Sequence, residues 1–138
     1  MSKELIGIAV DHGGFVLKRP VSDEIRAVGL DVLDLGTDNE DSVDYPDFAE
    51  KLVNEIRNET VTRGVLICGT GIGISIAANR HPGIRAALCC DEEMAMLARQ
   101  HNDANVLCLG GRKTDAELVF LETEFEGGRH ARRVGKLG

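Results

Sequence analysis

Five short apolar runs constrain this chain more than anything else in it: LIGIAV, DVLDLGT, RGVLICG, IRAALCC and ANVLCLGG. Each is too short to be a helix, is rich in aliphatic residues, and leads into a glycine-containing or acidic turn. Between the runs, apolar residues recur at helical spacing. Leu17, Val21, Ile25 and Val28 follow the first run, and Phe48, Leu52, Val53 and Ile56 follow the second. ISIAANR, DEEMAMLARQH and TDAELVFLETEF open helices after the remaining three. Near-continuous apolar strands alternating with helices predict a five-stranded parallel sheet with helices on both faces, an α/β architecture. Leu5–Val10 and Asp31–Thr37 are the first two strands, and Pro20 is expected to mark either the first turn of the first helix or a kink.

The 138 residues suit one domain with a full core, 1–138, ending in a basic arm over about 126–138. With no Trp and few aromatics, that core must be built from Ile, Leu, Val and Ala. A net charge of −7 argues against a nucleic-acid or membrane surface, and no stretch approaches the length of a membrane span. Cys68, Cys89, Cys90 and Cys108 form no C-x-x-C pair, and the N-terminus turns polar too early for a secretory leader. Reduced thiols in a cytoplasmic protein are therefore expected. The Cys and His spacings suit no zinc site, so a metal is not implied.

Ligands of an open parallel sheet gather beyond the carboxyl ends of its strands. Asp11 and His12 follow the first run, and Cys68-Gly69-Thr70-Gly71-Ile72-Gly73 follows the third. Asp91 follows the fourth, and Gly110, Gly111 and Arg112 follow the fifth. The glycine loop reads G-x-G-x-G, lacks the dinucleotide spacing, and has no lysine for a Walker loop, so nucleotide binding is disfavoured. Its amides, near a helix N-terminus and with the Thr70 and Ser75 hydroxyls beside them, can form a nest for an oxyanion or a phosphate. Cys68 is then either a small residue closing a strand or a thiolate poised over that nest. His101, beside Asn102, is either a charge on a helix C-terminus or an acid. His81, followed by Pro82, suits a surface turn. Arg129, His130, Arg132 and Arg133 are either a solvated basic tail or an anion site.

Read together, DHGG, SVDYPDFA, CGTGIGISIAANR, GIRAAL, ARQHNDANVLCLGGR and FEGGRHARR resemble the type B ribose-5-phosphate isomerases, a family that includes the galactose-6-phosphate isomerase subunits. The resemblance runs from Ile6 to Arg133 and implies a Rossmann-like three-layer α/β/α fold. It also implies interconversion of ribose 5-phosphate and ribulose 5-phosphate through an enediolate, without metal or cofactor. Cys68 would move the proton between carbons 2 and 1, and His101 would open the furanose ring. Thr70 and the Gly69–Gly73 loop, with Gly71, Ile72 and Gly73, would hold the enediolate oxygens. Asp11, His12 and Asn102 would bind hydroxyls or the ring oxygen, and Arg112, Arg129 and Arg133 the phosphate. The family's sites are shared between chains of a homodimer or homotetramer. A related branch carries a glutamate where Ile74 stands here, so this chain is of the cysteine type. Between Arg112 and Phe125 it is shorter than the family pattern by roughly six residues, about a turn and a half of helix.

Three other readings are compatible with the same residues. The substrate could be a galactose, allose or tetrose phosphate, the chain could be a non-catalytic sugar-phosphate binder, or Cys68 could serve acyl-transfer hydrolysis. The last lacks a recognisable base beside the nucleophile, and a binder needs neither Cys68 nor His101.

Overall fold

The computed structural model describes residues 3–111 and 115–138. The elements are β1 (Leu5–Val10), α1 (Phe15–Ala27), β2 (Asp31–Asp34), α2 (Tyr45–Arg57), β3 (Arg63–Ile67) and α3 (Ile72–Asn79). β4 (Ala86–Leu88), α4 (Glu92–Asn102), β5 (Val106–Leu109), α5 (Ala116–Glu122) and α6 (Arg129–Gly135) follow. All strand pairs are parallel, in the order β2-β1-β3-β5-β4. The expected five-stranded parallel sheet with helices on both faces is present. Strand order reverses between β1 and β3, and such a switch point opens a crevice at the carboxyl ends of the two strands. The loops leaving those ends are Asp11–Gly14 and Cys68–Gly73.

Strand alternation sorts the core into two layers. Ile6, Ile8, Val10, Val65, Ile67, Leu107 and Leu109 pack with Leu17, Val21 and Ile25 of α1, Ala95 and Ala98 of α4, and Phe120 of α5. Ala9, Leu66, Val106 and Cys108 point the other way, onto Phe48, Leu52 and Val53 of α2 and Ile74 and Ala78 of α3. Burial of each such aliphatic side chain stabilises by about 1.5–3 kcal/mol. Period-two alternation carries Asp11 and Cys68 to the α2/α3 face, so both emerge on one side of the sheet.

Several boundaries differ from expectation. Regular β2 ends at Asp34, because the chain turns at Gly36, whose φ is 93°. Pairing with β1 nevertheless continues, Leu35 N–H donating to Ile8 O at 2.8 Å and Thr37 N–H to Val10 O at 2.8 Å. Pro20 is not in the first turn of α1: it is the sixth residue of an unbroken helix. Its ring removes the helical donor to the Val16 carbonyl. Both residues lie on the exposed face, where a carbonyl without its helical donor is open to water. Val28 falls just past the helix and is 42% exposed, so the expected apolar face of α1 ends at Ile25.

Candidate active site

The crevice at the switch point is a cleft of about 460 Å³ bordered by Asp11, His12, Tyr45, Cys68, Thr70 and Ile72. Two loops meet there closely: a Cβ on Gly13 would stand 2.8 Å from Gly69 N, so only glycine lets the backbones touch. Cys68 continues the ladder, its N–H donating to Leu109 O at 3.2 Å, and its side chain is 4% exposed. The chain then turns through Gly71 at φ 79°, which aims the Gly71 N–H back at the sulfur, 3.1 Å from Sγ. A charge on that sulfur therefore faces an amide dipole. The Ile72 N–H donates to Thr70 Oγ1 at 3.1 Å. Two loop amides expected to meet a ligand are thus engaged within the loop, and a ligand oxygen must compete with Thr70 for the second. Gly73 and Ile74 belong to the first turn of α3, whose N–H groups have no helical partners.

The first loop is equally ordered. Asp11 is 6% exposed, and its Oδ1 accepts from Gly14 N at 3.1 Å. The Val43 N–H donates to His12 Nδ1 at 3.1 Å, a bond that places the hydrogen of neutral His12 on Nε2. The loop carrying Val43 is tied down by Lys18, whose buried ammonium bonds Asp34 Oδ1 at 3.2 Å and the Thr37 carbonyl. Tyr45 forms the cleft's side wall, its ring so close over Gly73 that a Cβ there would lie 2.7 Å from Cζ. No role was expected for Lys18 or Tyr45. Tyr45 stands in the SVDYPDFA motif, whereas nothing in the helical pattern marks Lys18 as buried.

Of the remaining cysteines Cys90 is exposed, whereas Cys89 and Cys108 are governed by burial. It pushes the Cys89 thiol up to about 12, with Cys90 and Asp91 adding to the shift, and it pushes the Cys108 thiol up as well. Asp91 caps α4, its Oδ1 accepting from Met94 N at 2.8 Å, which accounts for it structurally. Ile74 is fully buried against α2 and does not face the cleft. Arg112 lies outside the described residues.

His101, Asn102, Arg129 and Arg133 do not border the Cys68 cleft. α4 runs back across the sheet from Asp91, so its last turn, with His101 and Asn102, reaches the amino-terminal edge of the strands. There Arg85, just before β4, donates to Asn102 O at 3.1 Å. A concavity of about 580 Å³ also lies at this edge, bordered by Asn79, Arg80, His81, Arg85, Asn102 and Leu137. It shares no lining residue with the cleft at Cys68. His101 is in the last turn of α4, where a cation complements the helix dipole. The basic arm is helical, with Arg129 and Arg133 one turn apart and both exposed.

A family model described as Ribose/Galactose Isomerase matches residues 6–137. The ribose-5-phosphate isomerase B of Escherichia coli strain K12 is 43% identical over 135 residues, covering 94% of this chain and 91% of that protein. A Rickettsia bellii protein, described no more narrowly than as a sugar phosphate isomerase, is 49% identical over 138 residues and 96% of each chain. The solved ribose-5-phosphate isomerase B of Clostridium thermocellum superposes with a TM-score of 0.93 at 51% identity, covering 97% of this chain and 95% of that one. The type B enzyme of Trypanosoma brucei gives 0.93 at 40% identity over 99% and 97%. Likeness that spans nearly the whole sequence and holds across the sheet in three dimensions makes this chain a member of the ribose/galactose isomerase family.

Proposed function

We propose that the chain interconverts ribose 5-phosphate and ribulose 5-phosphate in the cytoplasm, as one domain working in a homodimer or homotetramer. The observation that carries this reading is the Cys68 sulfur, held at the switch point with the Gly71 N–H upon it. In the open aldose, the Cys68 thiolate takes the C2 proton as C1=O1 becomes an enediolate. The thiol returns that proton to C1 while O2 becomes the ketone oxygen and its hydroxyl proton passes to O1. Thr70, Gly69 and the amides of Ile72 and Gly73 stabilise the enediolate oxygens, while the Gly71 N–H stays on the sulfur, an electrostatic contribution that is large in such chemistry. His12, with its hydrogen on Nε2, donates to a sugar oxygen, and Asp11 accepts from a hydroxyl.

His101 serves as the ring-opening acid and Asn102 as a sugar-binding residue. Both sit at the edge remote from Cys68 in the same chain, so a second copy supplies them to each cleft. Arg129 and Arg133 reach the phosphate from α6, with Arg112 as a further candidate. Arg129 opens α6, where the helix dipole disfavours a cation, a placement that a phosphate ligand would offset.

A panel of four-, five- and six-carbon aldose phosphates assayed for ketose tests the reading. Ribose 5-phosphate is expected to give the highest kcat/KM. A six-carbon phosphate ahead of it would move the substrate within the same chemistry, and ketose from none would leave a binding protein.

A further inference from the structure

His101 is held by two neighbours that the reaction scheme leaves unused. Its imidazole lies face to face on that of His130, with ring centroids 4.3 Å apart and planes 12° from parallel. Glu126 Oε1 lies 3.3 Å from His130 Nε2 and 3.9 Å from His101 Nε2, so one carboxylate oxygen faces both rings. Burial ranks the three: the side chain of His130 is 9% exposed, that of His101 40% and that of Glu126 47%. His130 is the fixed member and gives the freer ring a flat surface to lie on. The carboxylate is anchored through its backbone. Glu126 N–H donates to Gln100 O at 3.0 Å, one residue before His101, and Arg99 Nε donates to Thr123 O at 3.1 Å. Nearly parallel stacked imidazoles do not aim their nitrogens at a common point 2.0–2.1 Å from each, so the cluster suits holding a ring better than holding an ion.

We infer that Glu126 and His130 are positioning residues for ring opening: His130 fixes the ring plane of His101, and the Glu126 carboxylate, within ion-pair distance, orients that ring. The inference rests on His101 being the acid, as proposed above. In that step the proton goes from His101 to the ring oxygen, the C1–O4 bond breaks and C1=O1 forms. The C1 hydroxyl proton leaves to solvent, from which His101 is reprotonated. His130 stands between Arg129 and Arg133 on α6. One helix therefore presents two guanidiniums to the phosphate and carries the platform for the acid, so phosphate engagement and acid placement share one rigid element.

The two half-reactions can be separated by substrate. Ribose 5-phosphate closes a furanose ring through O4, whereas ribulose 5-phosphate cannot, because its C5 oxygen carries the phosphate. Deuterium wash-in at C1 of ribulose 5-phosphate in D2O therefore reports the proton shift alone, and turnover of ribose 5-phosphate reports ring opening as well. Glu126→Gln is expected to lower kcat on ribose 5-phosphate about 10-fold and to change wash-in by less than about twofold, the scale of coupling between neighbouring groups. In a His101→Asn background the same substitution should cost nothing further, a non-additivity that a merely structural role does not produce. Equal losses in both reactions, no loss in either, or full additivity with His101→Asn overturns the inference. If His101→Asn itself impairs both reactions alike, the assignment of His101 fails and the inference falls with it. If His101→Asn separates them and Glu126→Gln does not, only the positioning role is refuted.

Discussion

Gly71 and Gly69 stand two residues apart in the same loop, yet alanine should affect them very differently. At Gly71 the backbone has φ 79°, a conformation that costs an L-residue about 1–2 kcal/mol. A Cβ there would lie 2.5 Å from Leu88 Cδ1, which can swing away, but also 2.9 Å from Leu109 C and 3.0 Å from Gly110 N, which are backbone. Overpacking of this kind adds about 1–3 kcal/mol, so about 3 kcal/mol in all is a fair central figure. For 138 residues the unfolding entropy is about 290 cal/mol/K, so this loss lowers Tm by about 10 °C. At Gly69 φ is not positive and nothing lies within 4 Å of the added carbon. Gly69→Ala should hold Tm within about 2 °C of the parent, as open surface substitutions do. Thermal melts by circular dichroism measure both. Isomerase assays well below the lower Tm should show Gly71→Ala strongly impaired, because relieving the clash moves the N–H away from Cys68 Sγ. Melts of the two variants that agree within about 2 °C would refute the loop geometry from which these figures are built.

Arg129→Ala or Arg133→Ala should raise KM and weaken phosphorylated inhibitors by about 1.5–3 kcal/mol each, while Arg132→Ala does little. Equal effects at all three, or an equal loss for unphosphorylated sugar, would take the phosphate away from α6. The buried thiols make a second prediction, on stability. Unfolded cysteines ionise from 9.0, whereas folded Cys89 stays protonated to about 12 and Cys108 is raised too. The unfolded state therefore binds fewer protons in that window, and stability falls as pH rises through it. Urea midpoints at about pH 8 and about pH 10.5 should diverge less in a Cys89→Ala/Cys108→Ala variant than in the parent, and an unchanged divergence would assign the loss to other groups.

Much of the fold was legible because short aliphatic runs and helical spacing both report burial, and burial decides a parallel sheet. Ile6, Ile8 and Val10 against Ala9 already specify two faces, and the same alternation sends Asp11 and Cys68 to one side. Pro20 sits in mid-helix because it and Val16, whose carbonyl loses its helical donor, lie on the exposed face. Val28 kept the spacing of α1 after the helix had stopped. Long-range pairings were out of reach: Lys18 beneath Thr37, Tyr45 over Gly73, and the stack of His101 on His130 join residues that no periodicity connects. Chain direction was not legible either: α4 runs back across the sheet, so the motif carrying His101 and Asn102 ends at the edge opposite the Cys68 loop.

The central claim is that the Cys68 sulfur moves the proton, and deuterium wash-in at C1 of ribulose 5-phosphate tests it without any ring chemistry. In Cys68→Ala the account predicts wash-in lowered by at least the roughly 10²–10⁴-fold typical of a lost general base. Affinity for a phosphorylated inhibitor should stay within a few-fold, because the groups assigned to phosphate are elsewhere. Wash-in near the parent rate, with inhibitor binding intact, would contradict the assignment and require another base.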